Sequence, residues 1–405
     1  MNRIIKKLSI LIVLTSCFSC YSTEGTREQS SVRSDYKLSI PKEARLIPHE
    51  FPFKSKQLSK DTIAPVNDPF YTRNWGLKEV NAIQAWQINK GDKRIIVAVI
   101  DTGIDVNHED LKSNLWVNPG ETGNDKSGRD KGTNGKDDDG NGLVDDIYGW
   151  NFVDNNNNLK DNHGHGTHIA GIISAASDNL KGTVGVAPKV SIMALKYYDP
   201  KSKSNYDPML TSVKAIRYAI AKGANVINYS GGGRGYSQEE YKALREAEAK
   251  GILVIAAAGN EDSNTDDVPF YPSSYRLTNI ISVASTNKKN NLMEYSNYGT
   301  STVDIAAPGS EIYSTLPDNK YGYLSGTSQA TAFVTGAVAL LLSTDSSLNF
   351  KQIKERILKS VRPLKSLEGK TRTAGILDVA NVLTGSLPDI NNSEISGPQL
   401  AQNRR

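Results

Sequence analysis

The sequence predicts an α/β domain of three layers, in which a mostly parallel sheet has helices on both faces. Short apolar runs alternate along the chain with segments of helical periodicity, which is typical of repeated strand-helix-strand units. The apolar runs lack the polar alternation of half-exposed strands, so they indicate strands buried on both faces. The five predicted strands are 94–101, 190–198, 224–230, 252–260 and 279–285.

Four helices are predicted between and after these strands. They are 165–176, 210–222, 238–250 and 328–343. Ser237 precedes the third helix and Glu240 follows three residues later, a spacing that is typical of a helix N-terminal capping box. The fourth helix, "SQATAFVTGAVALLLS", is apolar nearly all round, which predicts a core helix, and its 16 residues are too few for a membrane span.

The two ends of the chain have a different character. Basic residues, an apolar run and then "LTSC" indicate a bacterial lipoprotein signal, with the lipid on Cys17. An ordinary signal peptide cleaved further on is the alternative, and Cys20 is a poorer lipid acceptor. We therefore divide the chain into a signal peptide (1–16), a tether or short pro-segment (17–67), one domain (68–385) and a disordered tail (386–405). The expected location is the bacterial cell envelope, after export, on a membrane anchor.

Composition limits the classes of function. Of the 405 residues, 38% are hydrophobic, which is enough for a sizeable core. The formal net charge of +4 falls to +1 without the three basic residues of the signal, so nucleic acid is not an expected partner. Both cysteines precede residue 21, and the domain must therefore be stabilised by packing or by a bound ion rather than by disulfides.

Four polar residues stand at strand ends or helix starts, where open parallel sheets carry their functional crevice. Asp101 ends a strand, His165 opens a helix, Asn260 follows a strand and Ser328 opens the buried helix. Each has an ordinary structural explanation, as a turn residue or a helix cap. Together they supply an acid, a base, a hydroxyl and a neutral donor, which is the set that a serine nucleophile needs.

The stretch "DNHGHGTH" holds three of the five histidines, His163, His165 and His168. One alternative is a zinc site built from these imidazoles, and the other is a general base at His165. The spacing of two and three residues fits no single helix face, which disfavours the zinc site.

The motifs "VIDTGID", "HGTHIAG", "GVAP", "AAAGN", "AAPG" and "SGTSQATA" resemble those of the subtilisin-like serine peptidases, the subtilases, over about 68–385. The resemblance implies a subtilisin-like three-layer fold and a serine endopeptidase that cleaves polypeptides through an acyl-enzyme without a cofactor for the chemistry. It implies a triad of Asp101, His165 and Ser328, with Asn260 and the Ser328 backbone N–H in the oxyanion hole. It also implies that His168 supports its helix.

The same resemblance implies the substrate-binding residues. These are Ser230, Gly231, Gly232, Ala258, Gly259 and Phe270. Phe270 corresponds to the floor of the pocket for the residue before the cleaved bond, the S1 pocket, so we expect small or medium side chains there. A ring turned into the core is the alternative.

The sequence departs from the family pattern in three places. Gln329 follows the nucleophile where most members have Met, and the proline three residues further on is missing. "SGGG" at 230–233 stands where Ser-Leu-Gly is common, so these glycines either hold substrate as an added strand or form a flexible turn. No segment before residue 68 is long enough to resemble the usual inhibitor domain.

The stretch "DDDGNGLVDD" at 137–146 has the alternating oxygen ligands and sharp turn of a calcium loop. Its predicted ligands are Asp137, Asp139, Asn141, Asp145 and Asp146. The Glu that closes an EF-hand loop is replaced by Tyr148, so a solvated acidic loop is the alternative.

Two other functions compete with a monomeric peptidase. A binding module on the same scaffold would normally have lost a triad residue. A metal-dependent hydrolase built on the histidines and the acidic loop would leave Ser328 and Asn260 unexplained.

Overall fold

The computed structural model describes residues 66–385, so the interpretations of the signal, of Cys17, of most of the tether and of the tail lie outside the described residues. The strands are β1 (Ile96–Asp101), β2 (Gly149–Asn151), β3 (Ser191–Lys196), β4 (Val226–Tyr229), β5 (Leu253–Ala257), β6 (Ile280–Thr286), β7 (Ile305–Pro308), β8 (Ile312–Leu316), β9 (Lys320–Leu324), β10 (Arg362–Pro363) and β11 (Gly375–Ile376). The helices are α1 (Trp75–Glu79), α2 (Ala82–Ala85), α3 (His165–Ser174), α4 (Pro208–Ala221), α5 (Gln238–Ala249), α6 (Thr327–Thr344), α7 (Phe350–Lys359) and α8 (Val379–Thr384).

Nine strands form one sheet in the order β10-β11-β7-β6-β5-β4-β1-β3-β2. All neighbours in this sheet run parallel except β10 and β11. Strands β8 and β9 form a separate antiparallel hairpin.

Apolar cores lie on both faces of the sheet because successive side chains of a strand point to opposite sides. Val97 and Val99 of β1 belong to one core, together with residues of α3 and α6. Ala98 and Ile100 belong to the second core, together with residues of α4 and α5. The three-layer α/β class predicted from the sequence is therefore confirmed.

Each of the five predicted strands and four predicted helices overlaps an observed element of the same type. Ser237 caps α5 as predicted, because its side chain accepts a hydrogen bond from the Glu240 backbone N–H at 3.2 Å. Helix α6 is buried from Thr327 to Leu341, in agreement with its apolar surface. None of the helices between residues 66 and 385 is long and hydrophobic enough to cross a membrane.

Strand β1 lies between β3 and β4, so successive chain segments are added on opposite sides of it. Such a reversal opens a crevice outside the carboxyl ends of the strands. Asp101 is the last residue of β1, and Ser230 directly follows β4. Because Ile100 is opposite Tyr229 in the strand register, Asp101 and Ser230 lie level at this edge.

Candidate active site

Asp101 and His165 form a buried hydrogen-bonded pair at the crevice. Asp101 ends β1, His165 begins α3, and the His165 Nδ1 atom lies 2.7 Å from Asp101 Oδ1. The Thr102 backbone N–H donates to the same oxygen at 2.8 Å. A carboxylate only accepts hydrogen bonds, so His165 carries its proton on Nδ1 and presents the Nε2 lone pair as a base.

The electrostatics of this pair favour proton uptake by His165. Burial lowers the pKa of His165, but the charge of Asp101 and its hydrogen bond raise it by more, and the pKa lies above its ordinary value. His165 Nε2 is buried and has no hydrogen-bond partner among the described residues. The imidazole can therefore accept a proton from a group that approaches Nε2.

A buried carboxylate, Asp161, ties the histidine loop to the end of β1. Its Oδ1 accepts hydrogen bonds from Thr102 Oγ1 at 2.9 Å and from the Gly164 N–H at 2.7 Å. Its Oδ2 accepts from the Thr167 backbone N–H at 2.9 Å and from the Thr167 hydroxyl at 2.7 Å. Sequence reasoning missed Asp161, although it stands only four residues before His165, where it could have been noticed.

Ser328 lies in the first turn of α6 and contacts the residue that follows β4. Its hydroxyl donates to the Ser230 carbonyl oxygen at 2.9 Å. Since Ser230 is level with Asp101, this bond brings Ser328 to the same edge of the sheet. The hydroxyl is directed at Ser230 rather than at His165 Nε2, and catalytic hydrogen bonds commonly form only in the substrate complex.

The Asn260 side chain is held by Thr327. Its Oδ1 accepts from the Thr327 backbone N–H at 2.9 Å and from the Thr327 hydroxyl at 3.1 Å. The Thr327 hydroxyl in turn accepts from the Gly259 N–H at 3.3 Å. With its oxygen engaged in this way, the Asn260 carboxamide directs its NH₂ group away from Thr327. Sequence reasoning did not single out Thr327.

Two donors border a small space beside Gly326, which we call the cradle. A Cβ atom at position 326 would lie 3.7 Å from Asn260 Nδ2 and 3.7 Å from the Ser328 backbone nitrogen. Glycine places no side chain in this space, and Gln329 Oε1 also borders it, 2.9 Å from the same Cβ position. Two N–H groups that converge on an open space can stabilise an oxyanion.

The glycine segment after β4 is fixed by its neighbours. Gly233 and Tyr271 exchange backbone hydrogen bonds of 2.9 and 2.7 Å. A Cβ at Gly231 would collide with the Tyr197 hydroxyl, and one at Gly232 would collide with the Tyr271 carbonyl and the Phe270 ring. Tyr197 therefore occupies the space that a larger side chain at 231 would need, and the segment is an ordered edge.

Phe270 is only 3% exposed, and its ring lies between two segments that the sequence assigns to substrate. The ring contacts the Gly232 position on one side, and a Cβ at Gly259 would lie 3.0 Å from its Cδ2 atom. Ala258, in contrast, packs in a small core with Ala284, and its carbonyl accepts from Asn297 Nδ2 at 2.9 Å. Its backbone N–H donates to the Val283 carbonyl at 3.0 Å, so both backbone groups of Ala258 make hydrogen bonds within the domain.

His168 has a structural environment. Its Nε2 atom lies 3.0 Å from the Ile312 carbonyl and 3.2 Å from the Gly322 carbonyl, so it carries the proton and joins α3 to the β8-β9 hairpin. Burial lowers the pKa of His168 to about 3, which keeps the ring neutral. Between residues 66 and 385, the cluster of potential metal ligands whose atoms converge contains no histidine, so the zinc alternative gains no support.

That cluster lies in the acidic region and consists of Glu121, Asp137 and Asp139, whose ligand atoms are within 4.8 Å of one another. Glu121 is fully buried, and its Oε2 atom has no hydrogen-bond partner among the described residues. Burial raises the pKa of Glu121. Lys222 pairs with Asp139 and balances part of the negative charge.

The other three predicted ligands, Asn141, Asp145 and Asp146, make hydrogen bonds with their neighbours. Asp145 accepts the Gly135 N–H with both oxygens at 3.1 Å. Asn141 Nδ2 donates to Asp146 at 2.9 Å, and the Tyr218 hydroxyl donates to Asp146 at 2.6 Å. These side chains are used to hold the loop itself. Glu121 was missed because it stands 16 residues before the loop.

Comparisons with known proteins agree on one family. The subtilase family model matches residues 92–380. Thermitase of Thermoactinomyces vulgaris is 38% identical over 282 residues, which cover 69% of this chain and 86% of thermitase. Subtilisin-like protease 1 of Plasmodium berghei (strain Anka) is 33% identical over 364 residues, covering 84% of this chain but 58% of the relative.

Two further proteins extend the comparison. A thermophilic serine proteinase of Bacillus sp. (strain AK1) is 36% identical over 278 residues, covering 68% of this chain and 59% of the relative. A solved structure of proteases from Pseudoalteromonas arctica PAMC 21717 superposes with a TM-score of 0.63 at 24% identity, covering 80% of this chain and 99% of that one. The structural match shows the fold.

Proposed function

The chain belongs to the subtilase family of serine endopeptidases, and we propose that it hydrolyses peptide bonds in polypeptides through an acyl-enzyme on Ser328. The observation that carries the proposal is the buried Asp101–His165 hydrogen bond of 2.7 Å. It leaves His165 Nε2 without a partner among the described residues, at the sheet edge that Ser328 also reaches.

The proposed reaction has two halves. Rotation of the Ser328 side chain turns its hydroxyl from Ser230 toward His165 Nε2, which takes the proton as Oγ attacks the carbonyl carbon. Asn260 Nδ2 and the Ser328 N–H stabilise the oxyanion in the cradle. His165 then gives its proton to the leaving amine as the C–N bond breaks. Water hydrolyses the ester in the second half, again with His165 as base, and Asp101 holds the imidazole throughout.

Turnover measurements test this function. Purified protein should cleave casein and a chromogenic peptide, and Ser328→Ala should abolish both activities without changing the melting midpoint. Cleavage that survives Ser328→Ala would indicate a metal-dependent hydrolase. A folded wild-type protein that cleaves nothing would indicate a binding module.

For substrate binding, we propose that Ser230, Gly231 and Gly232 hold an extended peptide as an added strand. The described residues give the Gly231 and Gly232 backbone N–H groups no hydrogen bond, so these groups are available for such pairing. The Phe270 ring between this edge and Gly259 favours small or medium residues before the cleaved bond.

We also propose a structural calcium ion at Glu121, Asp137 and Asp139. The donors are all carboxylate oxygens, which suits a hard cation. The buried, unpartnered Glu121 Oε2 supports the fit, because an isolated carboxylate oxygen is costly to bury without a cation or donor. The ion would hold the acidic loop and would take no part in the cleavage.

For location, we propose export and a lipid anchor on Cys17, with residues 17–67 as a tether or short pro-segment and 386–405 as a tail. The "LTSC" motif after a basic and apolar start supports the anchor. We further propose that the protein acts as a monomer, and the near-neutral charge after the signal supports a polypeptide rather than a nucleic-acid partner.

A further inference from the structure

Gln329, the residue after Ser328, has a buried side chain whose amide is unsatisfied. It is 1% exposed, and neither its Oε1 nor its Nε2 atom has a hydrogen-bond partner among the described residues. Burial of an amide without hydrogen bonds destabilises the folded protein. The folded domain therefore maintains an unfavourable group next to the nucleophile, and a ligand could supply the missing partner.

The amide of Gln329 borders the cradle. The Cβ position at 326 that lies 3.7 Å from Asn260 Nδ2 and from the Ser328 nitrogen lies 2.9 Å from Gln329 Oε1. Three polar groups thus lie around the position that a Cβ atom at residue 326 would take. The first two are N–H donors, so an acceptor such as a carbonyl oxygen is the ligand that this space favours.

The orientation of the Gln329 amide is not fixed by the domain. Two donors from Thr327 hold the Asn260 oxygen, so the nitrogen of that amide is the atom that borders the cradle. No described donor holds Gln329 Oε1 and no described acceptor holds Nε2. The oxygen and nitrogen can therefore exchange by a half-turn of the terminal torsion, and an acceptor in the cradle would select the nitrogen.

We propose that Gln329 Nε2 is a third hydrogen-bond donor to the carbonyl oxygen of the scissile bond, an inference that rests on the proposed peptidase function. The bond strengthens as that oxygen becomes an oxyanion, because hydrogen bonds to charged acceptors are stronger. Gln329 then acts as a catalytic residue. Its amide has no hydrogen-bond partner in the free enzyme because only the substrate supplies the acceptor.

Two variants of Gln329 separate donation from packing. Gln329→Met keeps the length and removes the donor, and Gln329→Glu keeps the shape and replaces the donor with a carboxylate. With a chromogenic peptide, Gln329→Met should lower kcat about 13- to 160-fold with little change in KM, the range for one hydrogen bond to a charged acceptor. Gln329→Glu should lower kcat further, because its charge opposes the oxyanion. Exposed Gln84→Met is the matched control.

Inhibition and stability complete the test. The Ki of a peptide aldehyde, which forms the oxyanion on the enzyme, should rise in Gln329→Met by the same factor as kcat falls. The melting midpoint should stay or rise by about 1–4 °C, since an unsatisfied amide is removed.

One result would overturn the assignment of Gln329 but leave the peptidase function intact. In that result, a fluorophosphonate labels Ser328 of the wild type, and Gln329→Met has the same kcat and Ki as the wild type. A fall in kcat matched by a lower melting midpoint would also overturn the assignment, in favour of a packing role. A wild type that neither labels nor cleaves would overturn the peptidase function and this inference with it.

Discussion

The Thr327 hydroxyl gives the sharpest test of how the oxyanion donors are held. It donates to Asn260 Oδ1 at 3.1 Å and accepts from the Gly259 N–H at 3.3 Å. Thr327→Val replaces the hydroxyl with a methyl group of similar size. The Thr327 backbone N–H still donates to Asn260 at 2.9 Å, so the variant removes one of two restraints on the carboxamide.

The expected loss follows from the number of bonds removed. One neutral hydrogen bond contributes about 0.5–1.5 kcal/mol, which corresponds to a fall in kcat of about 2- to 13-fold. Removal of the donor itself, in Asn260→Ala, should lower kcat about 100- to 1,000-fold, the known range for this loss in a subtilisin. The unsatisfied Gly259 N–H should lower the free energy of unfolding by about 1–3 kcal/mol.

The assay is a double-mutant cycle on kcat with a chromogenic peptide. If Thr327 acts through Asn260, then Thr327→Val should change kcat less than about twofold in an Asn260→Ala background. Thr331→Val is the matched control, because the Thr331 hydroxyl is also buried in α6 but donates to the Thr327 carbonyl at 2.8 Å. Equal losses in both backgrounds, or an equal loss in the control, would refute the positioning role.

Four further predictions follow from the site and the proposals. Because the pKa of His165 is raised and only its neutral form accepts a proton, kcat/KM should fall with decreasing pH through a midpoint above 6.5, and a plateau that extends below 6.5 would contradict this. Calcium at a hundredfold excess over its Kd should add about 2.7 kcal/mol to the free energy of unfolding. That gain should vanish in Glu121→Gln and persist in Glu368→Gln, a control at an exposed position. Equal melting midpoints of the wild type in calcium and in chelator would contradict the calcium site and favour a solvated acidic loop. Phe270→Gly should increase cleavage after Phe relative to Ala by at least about tenfold, and a wild type that already prefers Phe would count against a restricted pocket. Cells fed a labelled fatty acid should label the wild type but not Cys17→Ser, and undiminished label in that variant would contradict a lipid anchor on Cys17.

The fold could be predicted from the sequence where burial imposes a clear pattern. Strands β1 and β3 to β6 are buried on both faces, so their residues form apolar runs that stand out along the chain. Strands β10 and β11 contain two residues each and carry no periodic signal. In β8, "IYSTL", the buried hydroxyls of Ser314 and Thr315 donate to α3 carbonyls at 2.8 and 2.7 Å. These bonds allow polar side chains to be buried, and no local pattern in the sequence reveals them.

The candidate site could be predicted only as far as its residue types and their places at strand ends and helix starts. Asp101 and His165 were identified in this way, and the structure adds their hydrogen bond. The bond from Thr327 to Asn260 joins residues 67 positions apart, and the sequence contains no sign of it. Spacing within the acidic loop likewise suggested Asp145 and Asp146, whereas the convergence with Glu121 depends on how the loop folds back.

The central claim is that Ser328 is a nucleophile activated by His165, and covalent labelling tests it most directly. A fluorophosphonate probe should form a phosphonate ester on Ser328 with loss of fluoride, and peptide mapping by mass spectrometry should find the adduct on that residue. Labelling should disappear in Ser328→Ala, which should melt as the wild type does. It should fall steeply in His165→Ala, measured at a temperature at which that variant is folded. A folded wild type that stays unlabelled, or an adduct that maps to another serine, would contradict the account.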